Sequence, residues 1–326
     1  MNKIFKDRKK TCIWVVILSL LLMILTGCNS REKIFTIGIA GHTAFTSQVL
    51  EGFREGMAES GYIEGKNIKF IYKGVLETDK QNINAEIREL LAQDIALLLA
   101  AGNEMSLQAR QLVKGTDTPV IFGPTSMPVE NGLVERLNHP GGNLTGIRIA
   151  NNISKALEWL ITIAPGAKKV YLPYNPDDTV SVAALSDLDK TASQLGIELV
   201  LHKVHSIEET ITAIENLPED VDAIFMIPSP TLNTRNIELS QAAIKRGIPM
   251  GAAIQLDDAV VTLTNDFFDA GKKMARLAQQ ILHGAKPADL PVETSEVFLI
   301  INLKTAEKIG LHIPDDVLLQ AKTIIR

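Results

Sequence analysis

Cys28 is the residue whose sequence context most clearly indicates covalent chemistry. It ends the tetrapeptide Leu25-Thr26-Gly27-Cys28, which follows an apolar run over residues 13–25. The first ten residues hold five lysines and arginines against the single acid Asp7. A basic start, a short apolar segment and small residues before a cleavage point are typical of a secretion signal. We therefore expect cleavage before Cys28 and acylation of its thiol by lipid.

An alternative is that residues 13–25 form a transmembrane anchor. About thirteen apolar residues are fewer than the roughly 20 that a membrane-spanning helix needs. The lipoprotein interpretation is therefore favoured: residues 1–27 are a signal peptide and residues 28–33 a short tether. Because two or more lipid chains give stable anchoring, the mature protein is predicted to be lipid-anchored on the extracytoplasmic face of the cell membrane.

Composition excludes some function classes. The only two cysteines are Cys12 and Cys28, so removing one and acylating the other leaves no structural disulfide. The formal net charge is -5, and cleavage would remove mostly basic residues. An acidic folded part argues against nucleic acid as a partner.

From residue 34 onward, apolar runs that suit strands alternate with helical patterns. Runs with few polar residues suit strands that are covered on both faces, and repeated strand-helix-strand units form parallel sheets. Strands are predicted over residues 34–40, 68–72, 95–100, 120–122, 170–173, 197–204 and 223–227. Helices are predicted over residues 48–60, 79–92, 105–114, 181–195 and 234–246. The fold class is therefore α/β, with doubly wound parallel sheets.

The number of these units indicates two lobes rather than one open sheet. About five precede Gly146 and three or four follow it. The turn Pro140-Gly141-Gly142-Asn143 is predicted as the first passage between the lobes. Ligands of open parallel sheets lie beyond the carboxyl ends of the strands, so two facing lobes would share a ligand cleft.

No motif predicts a catalytic, cofactor or metal site. The turn after the first strand lacks the G-x-G-x-x-G spacing, and Tyr72-Lys73 stands where a dinucleotide site needs an acid. No G-x-S-x-G, P-loop or H-E-x-x-H pattern occurs. His202 and His205 are three apart in a predicted strand, where they would point to opposite faces.

The loops after the predicted strands carry the candidate ligand-binding groups. Each of these residues, taken alone, is more simply explained as a turn or cap residue, whereas together on one rim they favour a binding site. Phe45 and Tyr174 would stack on a ligand, and the others would make polar contacts. The candidates are His42, Phe45, Asn103, Ser126, Tyr174, Asn175, Ser229, Gln255 and Asp257.

Asn152 and Ser154 are predicted to serve local structure. Asn152-Ile153-Ser154 matches a glycosylation acceptor, but a bacterial type of lipoprotein signal makes a helix cap the better interpretation. Asn152 or Ser154 would then accept hydrogen bonds from the first N–H groups of the helix that carries Leu157.

Several motifs together resemble one family. They are the stretches over residues 55–67, 139–146, 174–176, 286–294 and 302–310. With these the chain resembles substrate-binding lipoproteins of ABC importers, in the family that includes tryptophan- and tyrosine-binding members. The resemblance implies a type I periplasmic-binding-protein fold with three hinge crossings. The lobes would comprise residues 34–145 with about 256–292, and residues 146–255 with about 293–326.

The binding loops differ from the family pattern. The family's first loop often reads Glu-His-Pro-Ala-Leu-Asp, of which His42 and Ala44 remain here. After the strand ending at Met250 the family usually has a Ser-Asp pair suited to an ammonium group, where this chain has residues 251–254, Gly-Ala-Ala-Ile. Unless Asp257 or Asp258 replaces that pair, a bound α-amino acid would lack a charge partner.

The predicted function is capture of a small molecule, an amino acid or similar metabolite. The resemblance implies a solute-binding component of an ABC importer that closes its lobes on the ligand and docks on a membrane permease. We expect a monomer without cofactor or enzymatic activity. The alternatives are a ligand sensor that signals to a membrane partner without transport and, less favoured, an exported enzyme.

Overall fold

The structure is a computed structural model that describes residues 34–41, 45–74, 80–256 and 258–326. The predicted signal peptide, the tether with Cys28, and the candidate ligand residues His42 and Asp257 lie outside the described residues. Among the described residues, no helix combines the length and the apolar character needed to cross a membrane.

The described strands form two sheets. The first contains β1 (Phe35–Gly41), β2 (Ile68–Ile71), β3 (Leu97–Ala101), β4 (Val120–Thr125), β5 (Leu144–Arg148) and β11 (Glu293–Thr294). The second contains β6 (Lys169–Tyr174), β7 (Glu198–Lys203), β8 (Ala223–Met226), β9 (Met250–Ala252), β10 (Val261–Asn265), β12 (Val297–Asn302) and β13 (Thr323–Ile325).

Strand pairing is almost entirely parallel. The first sheet has the order β11-β5-β4-β3-β1-β2, and all its pairs are parallel. The second has the order β13-β12-β10-β9-β8-β6-β7, in which β10 and β12 pair antiparallel and the other pairs are parallel. The predicted α/β class with two parallel-sheet lobes is confirmed.

Helices cover both faces of each sheet. They are α1 (Thr46–Glu59), α2 (Lys80–Leu91), α3 (Asn103–Leu112), α4 (Ile153–Ile163), α5 (Thr179–Leu195), α6 (Ile207–Glu215), α7 (Pro230–Asn233), α8 (Asn236–Arg246), α9 (Phe267–Leu282), α10 (Leu303–Lys308) and α11 (Asp315–Leu318). In β1, Ile37 and Ile39 pack with α1 and α9, whereas Ala40 faces the cluster that includes α2 and α3. Alternate strand residues thus enter two separate cores, as strand geometry requires.

The elements predicted from periodicity are present, with ends that differ by a few residues. The predicted first passage at Pro140-Gly141-Gly142-Asn143 is wrong by one strand. This turn leads into β5, which pairs with β4 in the first sheet. The Asn143 side chain donates to the backbone oxygens of Thr116 and Thr118, so the turn joins two parts of the same lobe.

The described chain passes between the sheets three times. The passages follow β5 at Arg148, β10 at Asn265 and β11 at Thr294. Compared with the predicted boundaries, β5 extends the first sheet, β10 lies in the second sheet, and β11 lies in the first. The three passages of the resembled fold are therefore present at slightly shifted positions.

Side chains tie the three passages together. The Asn265 Nδ2 donates to the Ala150 oxygen at 3.4 Å, and its Oδ1 accepts from the Ala150 N–H at 2.9 Å. The same Oδ1 accepts from the Ser295 hydroxyl at 2.7 Å. Asn265 and Ser295 are both buried, so one amide joins all three segments. We refer to Ala150, Asn265 and Ser295 as the hinge knot.

Asn152 also acts across a passage rather than as a helix cap. It occupies the N-cap position of α4, but its side chain makes no capping hydrogen bond. Its Nδ2 instead donates to the Leu263 oxygen of β10 at 2.5 Å. The predicted capping role of Asn152 is therefore wrong: the hydrogen bond that Nδ2 donates to the Leu263 carbonyl fixes the amide in another orientation.

After the second passage, α9 returns to the first lobe and packs closely on α1. A Cβ placed on Gly52 would lie 2.0 Å from the Phe268 oxygen, and one on Gly271 would lie 2.1 Å from the Val49 oxygen. Only glycine permits this approach of two helix backbones. The first lobe is thus completed by α9, a segment that follows most of the second lobe in the sequence.

Candidate functional site

The carboxyl end of the first sheet carries a hydrogen-bonded polar cluster. Asn103 is the first residue of α3, directly after Gly102, which has φ +98°. Its Oδ1 accepts from the Thr125 hydroxyl and, at 3.4 Å, from the Asn131 Nδ2. Asn131 also donates to the Ser126 oxygen at 3.1 Å. We call Asn103, Thr125, Ser126 and Asn131 the first-edge cluster.

This cluster presents donors toward solvent. Asn103 is exposed and Ser126 half-buried. Because Thr125 and Asn131 occupy the Asn103 Oδ1, the amide N–H groups of Asn103 remain, and they have no acceptor among the described residues. The predicted candidates Asn103 and Ser126 are thus brought together, and Thr125 and Asn131 are neighbours that the sequence did not nominate.

Arg148 is a further polar residue at this edge, and sequence reasoning missed it. It is the last residue of β5 and the register partner of Thr125 on β4. Its Nε donates to the Thr294 hydroxyl at 2.9 Å. No carboxylate of the described residues lies within 4 Å of it, the distance at which an ion pair is recognised. A half-buried arginine at the carboxyl end of a strand is the pattern that could have identified it.

Phe45 lies at the start of α1 and contacts the second passage. Its ring stacks on Phe267, the first residue of α9, with centroids 4.6 Å apart and planes 11° apart. Phe45 is half-buried against the core that includes Phe53. One face of the predicted ligand aromatic is therefore covered by protein, and the first loop is joined to the hinge region.

At the carboxyl end of the second sheet, the predicted residues are mostly buried. Tyr174 is 7 % exposed and packs into the core that includes α4 and α5. The Asn175 Nδ2 donates to the Thr231 hydroxyl at 2.9 Å, and its Oδ1 accepts from the Asp177 N–H at 2.8 Å. These contacts hold the loop after β6 against the loop after β8.

Ser229 and Gln255 differ sharply in their surroundings. Ser229 is fully buried between β8 and α7, and its hydroxyl has no hydrogen-bond partner among the described residues. Gln255 is exposed in the loop after β9. The structure therefore brings Tyr174, Asn175 and Ser229 to one edge, with their side chains largely inside the lobe.

The hinge region contains a charged pair. Asp266 caps α9 by accepting from the Asp269 N–H at 2.9 Å, and Lys322 donates to its other oxygen at 2.6 Å. Burial alone would raise the pKa of Asp266, but the Asp269 N–H and the Lys322 ammonium outweigh it and hold the pKa below its usual range. The Asp266 hydrogen bond raises the pKa of Lys322. The pair thus links α9 of the first lobe to the start of β13 in the second.

A family of known proteins matches nearly the whole chain. Residues 33–325 match the family model of ABC transporter substrate binding proteins. The chain is 26 % identical over 309 residues to a tyrosine-binding protein of Clostridioides difficile, and the match covers 88 % of each chain.

Solved structures show the same fold with different ligands. A Streptococcus pneumonia protein in complex with L-Trp aligns with TM-score 0.75 and 24 % identity, over 91 % of this chain and 100 % of that one. A Bacillus halodurans solute-binding protein with bound myo-inositol aligns with TM-score 0.58 and 13 % identity, over 86 % and 99 % of the two chains. Both are type I periplasmic-binding-protein folds. With a family match over almost all of its described part, the chain belongs to the ABC transporter substrate-binding proteins.

Proposed function

We propose that this protein captures a small aromatic amino acid or a close analogue between its lobes and delivers it to a membrane permease of an ABC importer. The observation that carries this proposal is the first-edge cluster, which exposes the amide donors of Asn103 at the carboxyl end of a sheet that is joined to a second sheet by three passages. The tyrosine-binding relative and the L-Trp complex indicate the ligand class to test first.

The proposed mechanism is closure about the hinge. A ligand that contacts both sheet edges stabilises the closed arrangement by its difference in affinity for the closed and open states. The hinge knot supports this mechanism, because its hydrogen bonds hold the three passages side by side while the lobes rotate. Ser126, Asn103 and Phe45 are the proposed contacts from the first lobe and Gln255 that from the second, where the buried Tyr174, Asn175 and Ser229 support the edge.

We further propose that the working protein is a monomer, held by lipid on Cys28 at the extracytoplasmic face of the cell membrane, with lobes divided at the three passages. Its only partners would be the ligand, the permease and the membrane. Mass spectrometry of protein purified from its membrane tests the anchor. An acylated N-terminal Cys28 is expected, and an intact Met1 would contradict it.

The central test is calorimetric titration of the purified protein with L-Trp and L-Tyr. Binding to wild type is expected, and Asn103→Ala should weaken it about tenfold or more, since the amide that would donate to the ligand is lost. Asn216→Ala is the matched control, because Asn216 is exposed at the end of α6 and bonds only within its own helix turn. Failure of wild type to bind either amino acid, or equal effects of the two variants, would contradict the proposal.

A further inference from the structure

Arg148 carries a charge for which the described residues supply no counterion. Its guanidinium is always protonated and presents five N–H donors in a rigid fork. One donor, on Nε, is used by the Thr294 hydroxyl at 2.9 Å, and this hydrogen bond sets the orientation of the fork. The two Nη groups have no acceptor among the described residues, although Arg148 is half-buried.

The other half-buried arginines in the described residues have partners. Arg235 pairs with Glu238 at 2.8 Å. Arg246 donates to the backbone oxygens of residues 217–219 at the end of α6. Among the described residues, the exposed guanidinium groups of Arg88, Arg110 and Arg136 also lack a hydrogen-bond or ion-pair partner, but Arg148 differs from the other half-buried arginines in having free Nη groups.

The position of Arg148 connects it to the proposed site. Thr125 and Arg148 are register partners on adjacent parallel strands, which lie roughly 4.8 Å apart, and partners in register project to the same side of a sheet. The Thr125 hydroxyl donates to Asn103, so Arg148 stands next to the first-edge cluster. This places a guanidinium beside amide donors at the carboxyl end of the first sheet.

At the opposite edge, Asp258 is half-buried in the loop after β9 and makes no hydrogen bond or ion pair with another described residue. After β9 the chain continues through the buried Ala253 and the half-buried Ile254. Asp178 is occupied as the cap of α5, where it accepts from Val180 and Ser181, and Asp177 pairs with His205 at 2.8 Å. The positive charge available to a ligand thus lies on the first lobe, at Arg148.

We propose that Arg148 binds the carboxylate of the ligand, and that ligand selection depends on this carboxylate. This inference rests on the proposed function and specifies its ligand class as an organic carboxylate with an apolar or aromatic body. A guanidinium and a carboxylate form two parallel N–H to O hydrogen bonds, which are among the strongest in proteins. Thr294 is a positioning residue, because it acts only by orienting the guanidinium.

The test is calorimetric titration with three related compounds. L-Trp has both charged groups, indole-3-propionate lacks the amine, and tryptamine lacks the carboxylate. For wild type, loss of the carboxylate should weaken binding more than loss of the amine. Arg148→Gln should weaken binding of both carboxylates about 10- to 100-fold and leave tryptamine unchanged.

Arg148→Lys should give intermediate affinities, since it keeps the charge and loses the paired geometry. Thr294→Val keeps the guanidinium and should weaken the carboxylates by a few-fold, so it tests the inference if Arg148→Gln folds poorly. Arg88→Gln, an exposed site on α2, is the matched control and should change nothing.

The outcomes separate this inference from the proposed function. Binding of L-Trp that Arg148→Gln and Thr294→Val leave unchanged, or that Arg148→Gln weakens equally for all three compounds, would overturn the role of Arg148 alone. Tryptamine binding as tightly as L-Trp would also overturn it. Failure of wild type to bind any of the three compounds would contradict both.

Discussion

The two sheet edges that face the proposed cleft are built differently. At the first edge, Asn103 is exposed and its donors remain free after it has accepted hydrogen bonds from Thr125 and Asn131. At the second edge, Tyr174 is part of a hydrophobic core and Ser229 is fully buried. The first edge presents polar groups outward, whereas the second turns them into the lobe.

This difference assigns ligand recognition to the first edge and stabilisation of the fold to the second. Polar groups that keep free donors can exchange water for ligand, whereas buried groups in contact with protein mainly stabilise the fold. The first lobe should therefore determine ligand affinity. The corresponding residues of the second lobe should determine stability. Substitutions in the first edge should therefore change ligand affinity more than stability, and substitutions in the second edge should do the reverse.

The largest change in unfolding free energy is expected on substitution of Tyr174. Tyr174→Ala should lower the free energy of unfolding by about 3 kcal/mol, since it leaves a cavity in a packed core. Asn103→Ala should lower it by less than about 1 kcal/mol, because Asn103 is exposed. Urea unfolding of both variants measures this contrast, with Tyr174→Phe as the control that keeps the ring. Equal losses at the two sites would remove the proposed distinction between the edges.

The next effect concerns Asn175, whose amide holds two loops of the second edge together. Asn175→Ala removes the hydrogen bonds to Thr231 and from Asp177 and should cost about 1 to 2 kcal/mol of unfolding free energy. Ligand affinity should change much less than in Asn103→Ala. Thermal unfolding and calorimetry on the same samples decide this. Unchanged stability with lost binding would show that Asn175 contacts the ligand instead of stabilising the loops.

For Ser229, we expect the unfolding free energy to change in the opposite direction. Its buried hydroxyl has no partner in the part of the chain that the structure describes, so Ser229→Ala should raise the unfolding free energy by about 1 kcal/mol or leave it unchanged. Binding should be unaffected if the hydroxyl stays inside the lobe. Ser193→Ala, at an exposed position of α5, provides the comparison. Weaker binding by Ser229→Ala alone would show that the hydroxyl reaches the ligand.

The smallest effect lies in the hinge, between the two edges. Lys322→Met should cost only about 0.5 kcal/mol, because the Lys322 side chain is 59 % exposed and solvent screens the pair. The lowered pKa of Asp266 means that its contribution is present above its unfolded pKa of about 4 and is lost as pH falls through the lower folded value.

The pH profile of unfolding checks that assignment. The raised pKa of Lys322 keeps its contribution in place below about pH 10, and the contribution is lost as pH rises through the folded pKa. The difference between wild type and Lys322→Met should therefore be constant near neutral pH and shrink below about pH 4. Lys304→Met, an exposed control on α10, should show no such loss. A difference in unfolding free energy between wild type and Lys322→Met that grows below about pH 4 would contradict a stabilising Asp266–Lys322 pair.

Periodicity in the sequence was sufficient for most of the fold. Apolar runs such as β3, which is buried throughout, suit strands covered on both faces, and their alternation with helices predicts parallel sheets. The passages were harder to place. A glycine-rich turn marks a change of direction, but only pairing with β4 shows that β5 stays in the first sheet.

The site was predicted less completely, because burial and partners depend on tertiary structure. Loop position nominated Asn103 and Ser126, which do come together. It equally nominated Tyr174, whose ring packs inward for reasons that no local pattern reveals. Arg148 was missed because its importance arises from an absence of partners, which only three-dimensional neighbours can show.

Distance measurement between spin labels on the two lobes tests most directly whether ligand binding closes the cleft. The only native cysteines lie in the first 28 residues, so labels can be placed selectively at the exposed positions Glu130 and Val182. We predict that saturating L-Trp shortens the Glu130 to Val182 distance and that Asn103→Ala requires more ligand for the same change. Binding of ligand without any change in this distance would contradict capture by closure of the two lobes.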